Sequence, residues 1–353
     1  MKKTLSIMIA VLMLVCSALY ANAEDTSSDT SAPASCVSDT KEIIVTDTHG
    51  REVRLNAPAK RIIAIAPSDC DILQSLGAEK QVIAVGNDCE WPDTGHELPR
   101  VATYMDIDAK QLISLKPDLV ILYQMSGADK IAQELGNAGI PTVITKADSM
   151  SEVYDMIRLL GRLTGKDTEA EYIIKYMTEM FDLIVKARPM TGKTVYFEVS
   201  PLSYGLFTAG KNTYLNDLAD ICGYTNIFAD IEGWPSVSQE QVIERDPDYI
   251  VSLMYSENGS EVVEEIKNRP GWEKIKAVKD GNISCMESGD LSRPATHLVE
   301  FAYYLYLLLY PESPLPGMTE DAFRALKTGA IHDTNAVPET TDKSDTAGSS
   351  AAS

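Results

Sequence analysis

Two kinds of apolar pattern alternate along the chain. Short continuous apolar runs predict buried strands, whereas segments with apolar positions every three or four residues predict helices. Strands that alternate with helices indicate parallel sheets covered on both faces. The sequence therefore predicts an α/β fold with two Rossmann-like lobes, each built on a parallel sheet, at 42–148 and 191–328. The predicted strands lie at 61–66, 82–85, 120–122, 142–144, 194–199, 249–253 and 282–285, and the predicted helices at 69–76, 130–136, 214–222 and 262–267.

A short internal repeat supports this two-lobe interpretation. The segment KQLISLKPDLVI begins at Lys110 and the segment EQVIERDPDYIV begins at Glu240, so the two align without gaps 130 residues apart. In each copy a helical pattern stops at a Pro-Asp pair, because the residue before proline disfavours the helical region. A β-branched run follows as a predicted strand. Each lobe is therefore expected to contain the same helix–turn–strand unit.

A helical connector is predicted between the lobes, at 149–190. Its later part, 167–187, has apolar residues at helical spacing. At 1.5 Å rise per residue, a helix of this length spans about 30 Å, roughly one domain diameter. We therefore expect one long helix to join the two lobes.

Both ends of the chain are predicted to lie outside the folded unit. Residues 1–23 combine two lysines, an apolar run and an Ala-Asn-Ala cleavage site, which together are typical of a secretory signal peptide. Lipidation at Cys16 and an uncleaved membrane anchor are the alternatives. Segments rich in Ser, Thr, Asp, Ala and Pro are predicted to be disordered, at 24–41 and 329–353. The protein is therefore expected to be exported to the periplasm or the cell surface, either free or tethered to the membrane.

Charge and cysteine content narrow the function further. The formal net charge is −21 at pH 7, and a surface that acidic repels phosphate backbones, so nucleic-acid binding is not expected. An odd number of cysteines remains after the predicted cleavage, which leaves at least one thiol without an intramolecular partner. No Cys-x-x-Cys or Cys/His cluster is present, so a structural zinc site is not expected. The cysteines Cys36, Cys70, Cys89, Cys222 and Cys285 are interpreted as small buried residues, with one disulfide left open.

Catalytic signals in the sequence are poor. The chain has four histidines and no Gly-x-Ser-x-Gly, Walker A or His-Glu-x-x-His motif. Asp69 and Asp71 are compatible with carboxylate catalysis, but they are predicted to be solvated acids at a helix N-terminus. We therefore predict no enzymatic activity, no intrinsic cofactor and no metal site formed by the protein itself.

Aromatic side chains give a stronger signal, for ligand binding. Six of them fall in predicted loops or at strand ends, where α/β lobes present their ligand-binding edge. Aromatic faces suit a large planar or apolar chelate, although any of the six could instead belong to the core or its rim. The candidates are Trp91, Tyr104, Tyr123, Tyr204, Phe207 and Trp234, whereas Trp272 is interpreted as a packing residue.

Four motifs follow one another from Val45 to Ile283, within a similar region that covers nearly all of residues 43–326: VTDTHGREVRLNAPAKRIIAIAPS, LKPDLVI, WPSVSQEQVIERDPDYIV and NRPGWEKIKAVKDGNI. In this order they resemble the periplasmic binding proteins for iron-siderophores, haem and vitamin B12. The resemblance implies two α/β lobes joined by a long helix, a ligand cleft between the lobes and little hinge motion. It also implies a monomeric component that captures a corrinoid or ferric siderophore for an ABC importer permease and, through it, its ATPase.

The resemblance also assigns roles to particular residues. It matches Tyr104 and Tyr123 to first-lobe tryptophans of the vitamin B12 binder, and Trp234 to a tryptophan of its second lobe. Siderophore binders typically use several arginines against anionic ligands, and this sequence does not supply such a cluster. This difference favours a corrinoid ligand. The further positions that fall on the cleft are Pro67, Phe207 and Arg293.

The same resemblance predicts how the protein docks on its permease. The family uses one glutamate at the top of each lobe to meet permease arginines. Glu240 matches the second-lobe position, whereas Lys110 occupies the first-lobe position. Asp106 and Asp108 lie near Lys110 and are the predicted substitutes. The lysine therefore breaks the symmetry of the docking pattern.

Two other functions are alternatives to chelate import. A surface enzyme or chelatase on a similar two-lobed scaffold would turn over its bound chelate. A zinc- or manganese-binding importer component would need three or four converging histidine and carboxylate ligands. His96 together with His297 is too few for such a site.

Overall fold

The computed structural model describes residues 42–92, 97–103, 106–254, 259–286 and 293–330. They belong to one compact unit, 41–353. The predicted signal peptide, the first linker and the tail from residue 331 onward lie outside the described residues, so they stay predictions. Across the ranges just given, no helix combines the length and the apolar character needed to cross a membrane.

The first lobe begins with an antiparallel hairpin and continues as a parallel sheet. The hairpin consists of β1 (Ile43–Thr46) and β2 (Glu52–Leu55). The sheet strands are β3 (Ile62–Ala64), β4 (Val82–Gly86), β5 (Arg100–Val101), β6 (Leu119–Tyr123) and β7 (Thr142–Thr145), in the order β5-β4-β3-β6-β7. All their pairings are parallel. The helices between them are α1 (Pro67–Ser75), α2 (Ala109–Ser114) and α3 (Ala128–Asn137).

Two consecutive helices connect the lobes. Helix α4 spans Met150–Thr164 and α5 spans Asp167–Ala187. Ser149 caps the start of α4 in a reciprocal capping box with Glu152. Gly165 ends α4 with a φ of 71°, a left-handed conformation that glycine adopts without steric cost. The long helix predicted at 167–187 is confirmed.

The second lobe repeats the parallel arrangement. Its sheet contains β8 (Thr194–Glu198), β10 (Thr225–Asn226), β12 (Tyr249–Ser252) and β13 (Ile283–Cys285), in the order β10-β8-β12-β13. A short antiparallel pair, β9 (Leu206–Phe207) with β11 (Ser236–Val237), lies beside it. The helices are α6 (Tyr214–Cys222), α7 (Gln239–Arg245), α8 (Gly259–Lys267), α9 (Lys276–Asp280), α10 (Leu298–Leu309) and α11 (Glu320–Lys327).

The internal repeat has a structural counterpart. Helix α7 and strand β12 begin 130 residues after α2 and β6, respectively. In each copy the aspartate of the Pro-Asp pair binds the start of the neighbouring strand. Asp118 accepts a hydrogen bond from the backbone N–H of Arg61 at 2.8 Å, and Asp248 accepts one from the N–H of Thr194 at 3.0 Å. The predicted α/β fold with two parallel sheets is confirmed.

One apolar core extends through both lobes and the connector. The buried face of α5, which includes Ile173 and Met177, packs in the same cluster as Ile62 of the first sheet and Val195 of the second. Two smaller cores cover the opposite faces of the two sheets. A large apolar contact between domains restrains their relative motion. The shared core therefore favours the small hinge motion that the resemblance implies.

Candidate functional site

The carboxyl ends of the two parallel sheets carry the residues that join the lobes. Pro67 follows β3 and is the buried first residue of α1, and Tyr123 is the last residue of β6. On the second lobe, Pro201 follows β8 and Met254 follows β12. In open α/β sheets, ligands bind outside the carboxyl ends of the strands. We therefore take this edge of both lobes as the candidate cleft.

The first contact between the lobes centres on Asp148, which follows β7. The indole Nε1 of Trp234 donates a hydrogen bond to Asp148 Oδ1 at 3.1 Å, and the backbone N–H of Tyr214 donates to the Asp148 carbonyl at 2.6 Å. Lys146 forms an ion pair with the same carboxylate. The rings of Tyr214 and Trp234 lie 5.2 Å apart. Burial raises the pKa of Tyr214, and Tyr123 and Asp148 raise it further.

The second contact between the lobes centres on Arg293. Its Nη1 donates to Asp71 Oδ2 at 3.5 Å, and its Nη2 lies 4.0 Å from Glu90 Oε1. The Nδ1 of His297 lies 4.0 Å from the same Asp71 oxygen. Two first-lobe carboxylates therefore face one second-lobe guanidinium, and the charge of Arg293 is already compensated within the protein.

A deeply buried carboxyl group lies beside this contact. Asp69 is fully buried, and its Oδ2 accepts a hydrogen bond from Thr145 Oγ1 at 3.0 Å. Its Oδ1 has no hydrogen-bond partner among the described residues. Burial raises the pKa of Asp69 to about 8, against the opposing hydrogen bond from Thr145 and with a further rise from Asp71. The prediction that Asp69 and Asp71 are solvated is wrong, because the second lobe and β7 cover the first turn of α1.

A cavity of about 420 Å³ opens at the carboxyl ends of β8 and β12. One wall is a buried ion pair in which Arg269 Nη1 and Nη2 lie 2.6 and 2.9 Å from the Glu198 carboxylate. Burial lowers the pKa of Arg269, but the hydrogen bonds to Glu198 and Glu265 outweigh it and hold that pKa above its usual value. Pro201, Leu202 and Met254 supply apolar wall. The cavity thus offers apolar surface beside carboxylates.

The structure brings some of the predicted ligand residues to the cleft edge. Trp234 belongs to the cluster around Asp148, Tyr123 lies at the carboxyl end of β6, and Arg293 belongs to the second contact. Phe207 ends β9 and is 39% exposed, and Tyr204 lies in the turn before it with 81% of its surface exposed. These two aromatic side chains are therefore open to a ligand or a partner.

One predicted ligand residue lies away from this group, and another lies outside the described residues. Trp91 is half-buried and lines a separate cavity of about 610 Å³ with Gln74, Leu98 and Val82, the first residue of β4. Trp91 therefore lies toward the end of β4 that is opposite the cleft, and it is not part of the candidate ligand site. Tyr104 lies outside the described residues. Trp272 is fully buried, as expected of a packing residue, and its ring lies 4.4 Å below the Arg269 guanidinium.

The predicted docking residues occupy matching positions in the two lobes. Lys110 is the second residue of α2 and Glu240 is the second residue of α7, and both are exposed. Asp108 is the N-cap of α2 and accepts a hydrogen bond from the Lys110 N–H at 2.8 Å. Asp106 is exposed and has a φ of 62°. Because Asp108 already caps its helix, Asp106 is the freer of the two predicted substitutes.

Several cleft residues were not predicted. Lys146 and Asp148 follow the strand predicted at 142–144, but only aromatic side chains at strand ends were selected from the sequence, and extending the selection to charged side chains would have included both. The pair formed by Glu198 and Arg269 has no local signal, because 71 residues separate its members. Where the structure describes the chain, no group of three or more His, Cys, Asp or Glu side chains could hold a metal ion.

The family model for "Periplasmic binding protein" matches residues 62–288, which include both sheets and the connector. The chain belongs to the periplasmic binding protein family. This is a family of binding proteins rather than enzymes. The matched residues include Tyr214 and Trp234, the second-lobe partners of Asp148.

Individual relatives support membership of the periplasmic binding protein family. The chain is 29% identical over 279 residues to the ABC transporter substrate-binding lipoprotein YvrC of Bacillus subtilis, covering 77% of this chain and 86% of the relative. It is 25% identical over 240 residues to a vitamin B12-binding protein of Vibrio parahaemolyticus, covering 68% and 85%. The crystal structure of a possible iron-binding (periplasmic solute-binding) protein from Staphylococcus epidermidis superposes with a TM-score of 0.64 at 30% identity, covering 71% of this chain and 99% of that one. The two-lobed periplasmic binding architecture is therefore shared.

Proposed function

We propose that this protein is the extracytoplasmic substrate-binding component of an ABC importer and that its ligand is a corrinoid. Family membership supports the binding role. The names of the relatives, an ABC transporter lipoprotein and a vitamin B12-binding protein, support the importer and the ligand class. The proposal includes a permease and its ATPase as partners, and a monomeric protein outside the cytoplasm.

The compensated charge of Arg293 is the observation that carries the choice of ligand. An anionic ferric siderophore needs cations whose charge is still available, because a buried anion without a counter-charge is costly. Arg293 faces Asp71 and Glu90, and Lys146 faces Asp148. The cations described at the inter-lobe contacts are therefore already paired, which disfavours an anionic chelate.

A corrinoid suits the same groups. Its ring is large and largely apolar, and its peripheral amides can donate hydrogen bonds to carboxylates. The fixed rings of Trp234 and Tyr214 and the exposed ring of Phe207 offer aromatic surface for the corrin. The Asp148 side chain is 29% exposed, so its carboxylate has lone pairs that can accept from ligand amide N–H groups in addition to the contacts with Trp234 and Lys146.

Ligand titration of the purified chain tests the proposal. The chain from Glu24 onward is titrated with cobalamin, cobinamide, haem and ferric hydroxamate and catecholate siderophores, with calorimetry and tryptophan fluorescence as readouts. We expect saturable binding of the corrinoids and little or none of the anionic siderophores. Saturable binding of a ferric siderophore without corrinoid binding would overturn the choice of ligand.

A further inference from the structure

Two cysteine sulfurs approach each other closely in the first lobe. Cys70 lies in the first turn of α1 and Cys89 lies in the turn after β4, and both are buried. Their Sγ atoms are 2.8 Å apart. Non-bonded carbon atoms already make their best contact at about 3.5–4.0 Å, and sulfur is larger. A disulfide needs a separation of about 2.05 Å, so a small approach of the two side chains completes the bond.

We propose that Cys70 and Cys89 form a disulfide bond in the mature protein. The inference rests on the proposed function only in one respect, since a location outside the cytoplasm supplies an oxidising environment. The other two cysteines that the structure describes do not compete for either sulfur: Cys222 lies on α6 and donates to the Ala302 carbonyl at 3.1 Å, and Cys285 donates to the Met254 carbonyl at 3.2 Å.

The bond forms by exchange with a disulfide oxidant, either a thiol–disulfide oxidoreductase or a small-molecule disulfide. One cysteine thiolate attacks the oxidant and forms a mixed disulfide, and the second thiolate then displaces the oxidant's remaining sulfur. The two cysteine protons pass through solvent to the two sulfurs of the oxidant, which is reduced to two thiols. Burial, with smaller contributions from Cys89 and Asp69, raises the pKa of the Cys70 thiol. The pair therefore reacts most readily before it is buried, during folding.

The bond would hold together the two first-lobe segments that face Arg293. Helix α1 carries Asp71, and the turn after β4 carries Glu90 directly after Cys89. This turn is otherwise held by polar contacts: Gln74 Nε2 donates to the Glu90 carbonyl at 2.9 Å, and Arg100 Nη1 donates to the Cys89 carbonyl at 2.5 Å. The disulfide adds a covalent restraint, so both acids keep their positions opposite the guanidinium.

Peptide mapping of the full exported chain tests the bond directly. The protein is isolated with free thiols alkylated, digested with trypsin without reduction and analysed by mass spectrometry. Cys70 lies in the tryptic peptide 62–80 and Cys89 in the peptide 81–100. We expect the two peptides to appear as one linked species that separates on reduction.

Thermal unfolding with and without reductant gives an independent readout. For the loop that this bond closes, reduction should lower the wild-type Tm by about 5–10 °C. Cys70→Ser should show no difference between the two buffers, whereas Cys222→Ser, a matched substitution of a buried cysteine, should keep the difference. A Cys70→Ser protein that is too unstable to measure leaves the peptide map as the deciding experiment.

The proposal is overturned if both cysteines remain alkylated in the exported protein and also after incubation of the purified protein with oxidised glutathione. These assays contain no chelate. A protein that pairs these cysteines but binds no chelate refutes the proposed function and keeps the disulfide. A protein that binds a corrinoid while both thiols stay free refutes the disulfide alone.

Discussion

The indole nitrogen of Trp234 on the second lobe donates a 3.1 Å hydrogen bond to Asp148 on the first. The ring of Tyr214 packs against the same indole at 5.2 Å, so the tryptophan is held between a carboxylate and an aromatic ring. A side chain held in this way loses little conformational entropy when a ligand packs on it. We therefore propose that Trp234 is a preorganised contact for a planar ligand.

Replacing Trp234 by alanine should weaken corrinoid binding at least about tenfold. An aromatic contact contributes about 0.5–1.5 kcal/mol beyond its burial, and tenfold in Kd corresponds to about 1.4 kcal/mol. Calorimetric titration with cobalamin measures the change. Trp91→Ala is the matched control, because Trp91 lines a different cavity, and it should bind as tightly as the wild type. An unchanged Kd in a folded Trp234→Ala protein would remove this residue from the site.

Replacing Arg293 by alanine should affect stability more than corrinoid affinity. The change leaves the buried Asp71 carboxylate with fewer partners, which should cost about 1–3 kcal/mol in the free energy of unfolding. Denaturant titration measures this loss, and cobalamin affinity should change little. The control is Arg158→Ala, which removes an exposed ion pair with Glu171 and should cost less than about 1 kcal/mol. Wild-type stability combined with a large loss of corrinoid affinity would instead make Arg293 a direct ligand contact.

The buried carboxyl of Asp69 should make stability depend on pH. Its pKa is raised to about 8 in the folded protein, whereas an unfolded aspartate titrates near 4, so the folded state holds the extra proton between these values. The stabilisation of the folded state by this proton on Asp69 is therefore complete below about pH 4 and is lost as the pH rises through 8. Asp69→Asn cannot titrate and should not share this loss.

Denaturant unfolding at pH 5, 7 and 9 measures the difference. Between pH 5 and 9 the wild type should lose stability relative to Asp69→Asn, by a few kcal/mol. Asp155→Asn is the control, because Asp155 is exposed on α4, and it should follow the wild type. Parallel curves for the wild type and Asp69→Asn would show that Asp69 is ionised alike in the folded and unfolded states.

Local patterns were sufficient to predict most of the framework. The Pro-Asp repeat and the apolar spacing of α5 are each contained within a short stretch of chain, so the sequence displays them directly. Strands β5, β9, β10 and β11 have two residues each, too few to show a period. Their pairing depends on neighbours that only the folded chain supplies.

The candidate site could be predicted only in part, for a related reason. The sequence could place Tyr123 at a strand end, and the structure has it as the last residue of β6, but local pattern could not reveal that Asp69 and Asp71 are buried. Arg293, which faces Asp71, lies 222 residues away along the chain. The predicted start of α1 was also two residues late, because Pro67 was not recognised as a first helical residue, a position where its fixed φ and missing N–H are favourable.

Permease docking gives the last prediction, and it depends on the matching helix positions of Glu240 and Lys110. Glu240 is exposed near the N-terminus of α7, where hydrogen bonds to its own backbone N–H and to Ser238 lower its pKa and keep it ionised. A carboxylate suits this end of a helix, whereas the lysine at the same position of α2 does not. Helices α2 and α7 therefore present opposite charges at equivalent positions, and we expect the permease to engage these positions unequally.

Glu240→Ala should slow association with the permease and reduce uptake, because exposed charges at an interface act mainly on the association rate and its salt dependence. The affinity for cobalamin should stay at the wild-type value. Binding kinetics on the permease in lipid nanodiscs, at low and high salt, measure the effect. Glu244→Ala, an exposed acid at the other end of α7, is the matched control and should behave as the wild type. Lys110→Ala should do much less than Glu240→Ala unless the permease presents a matching acid. Wild-type uptake and permease affinity in Glu240→Ala would leave Glu240 as an ordinary helix-terminal glutamate and transfer the docking role to other residues of the top face.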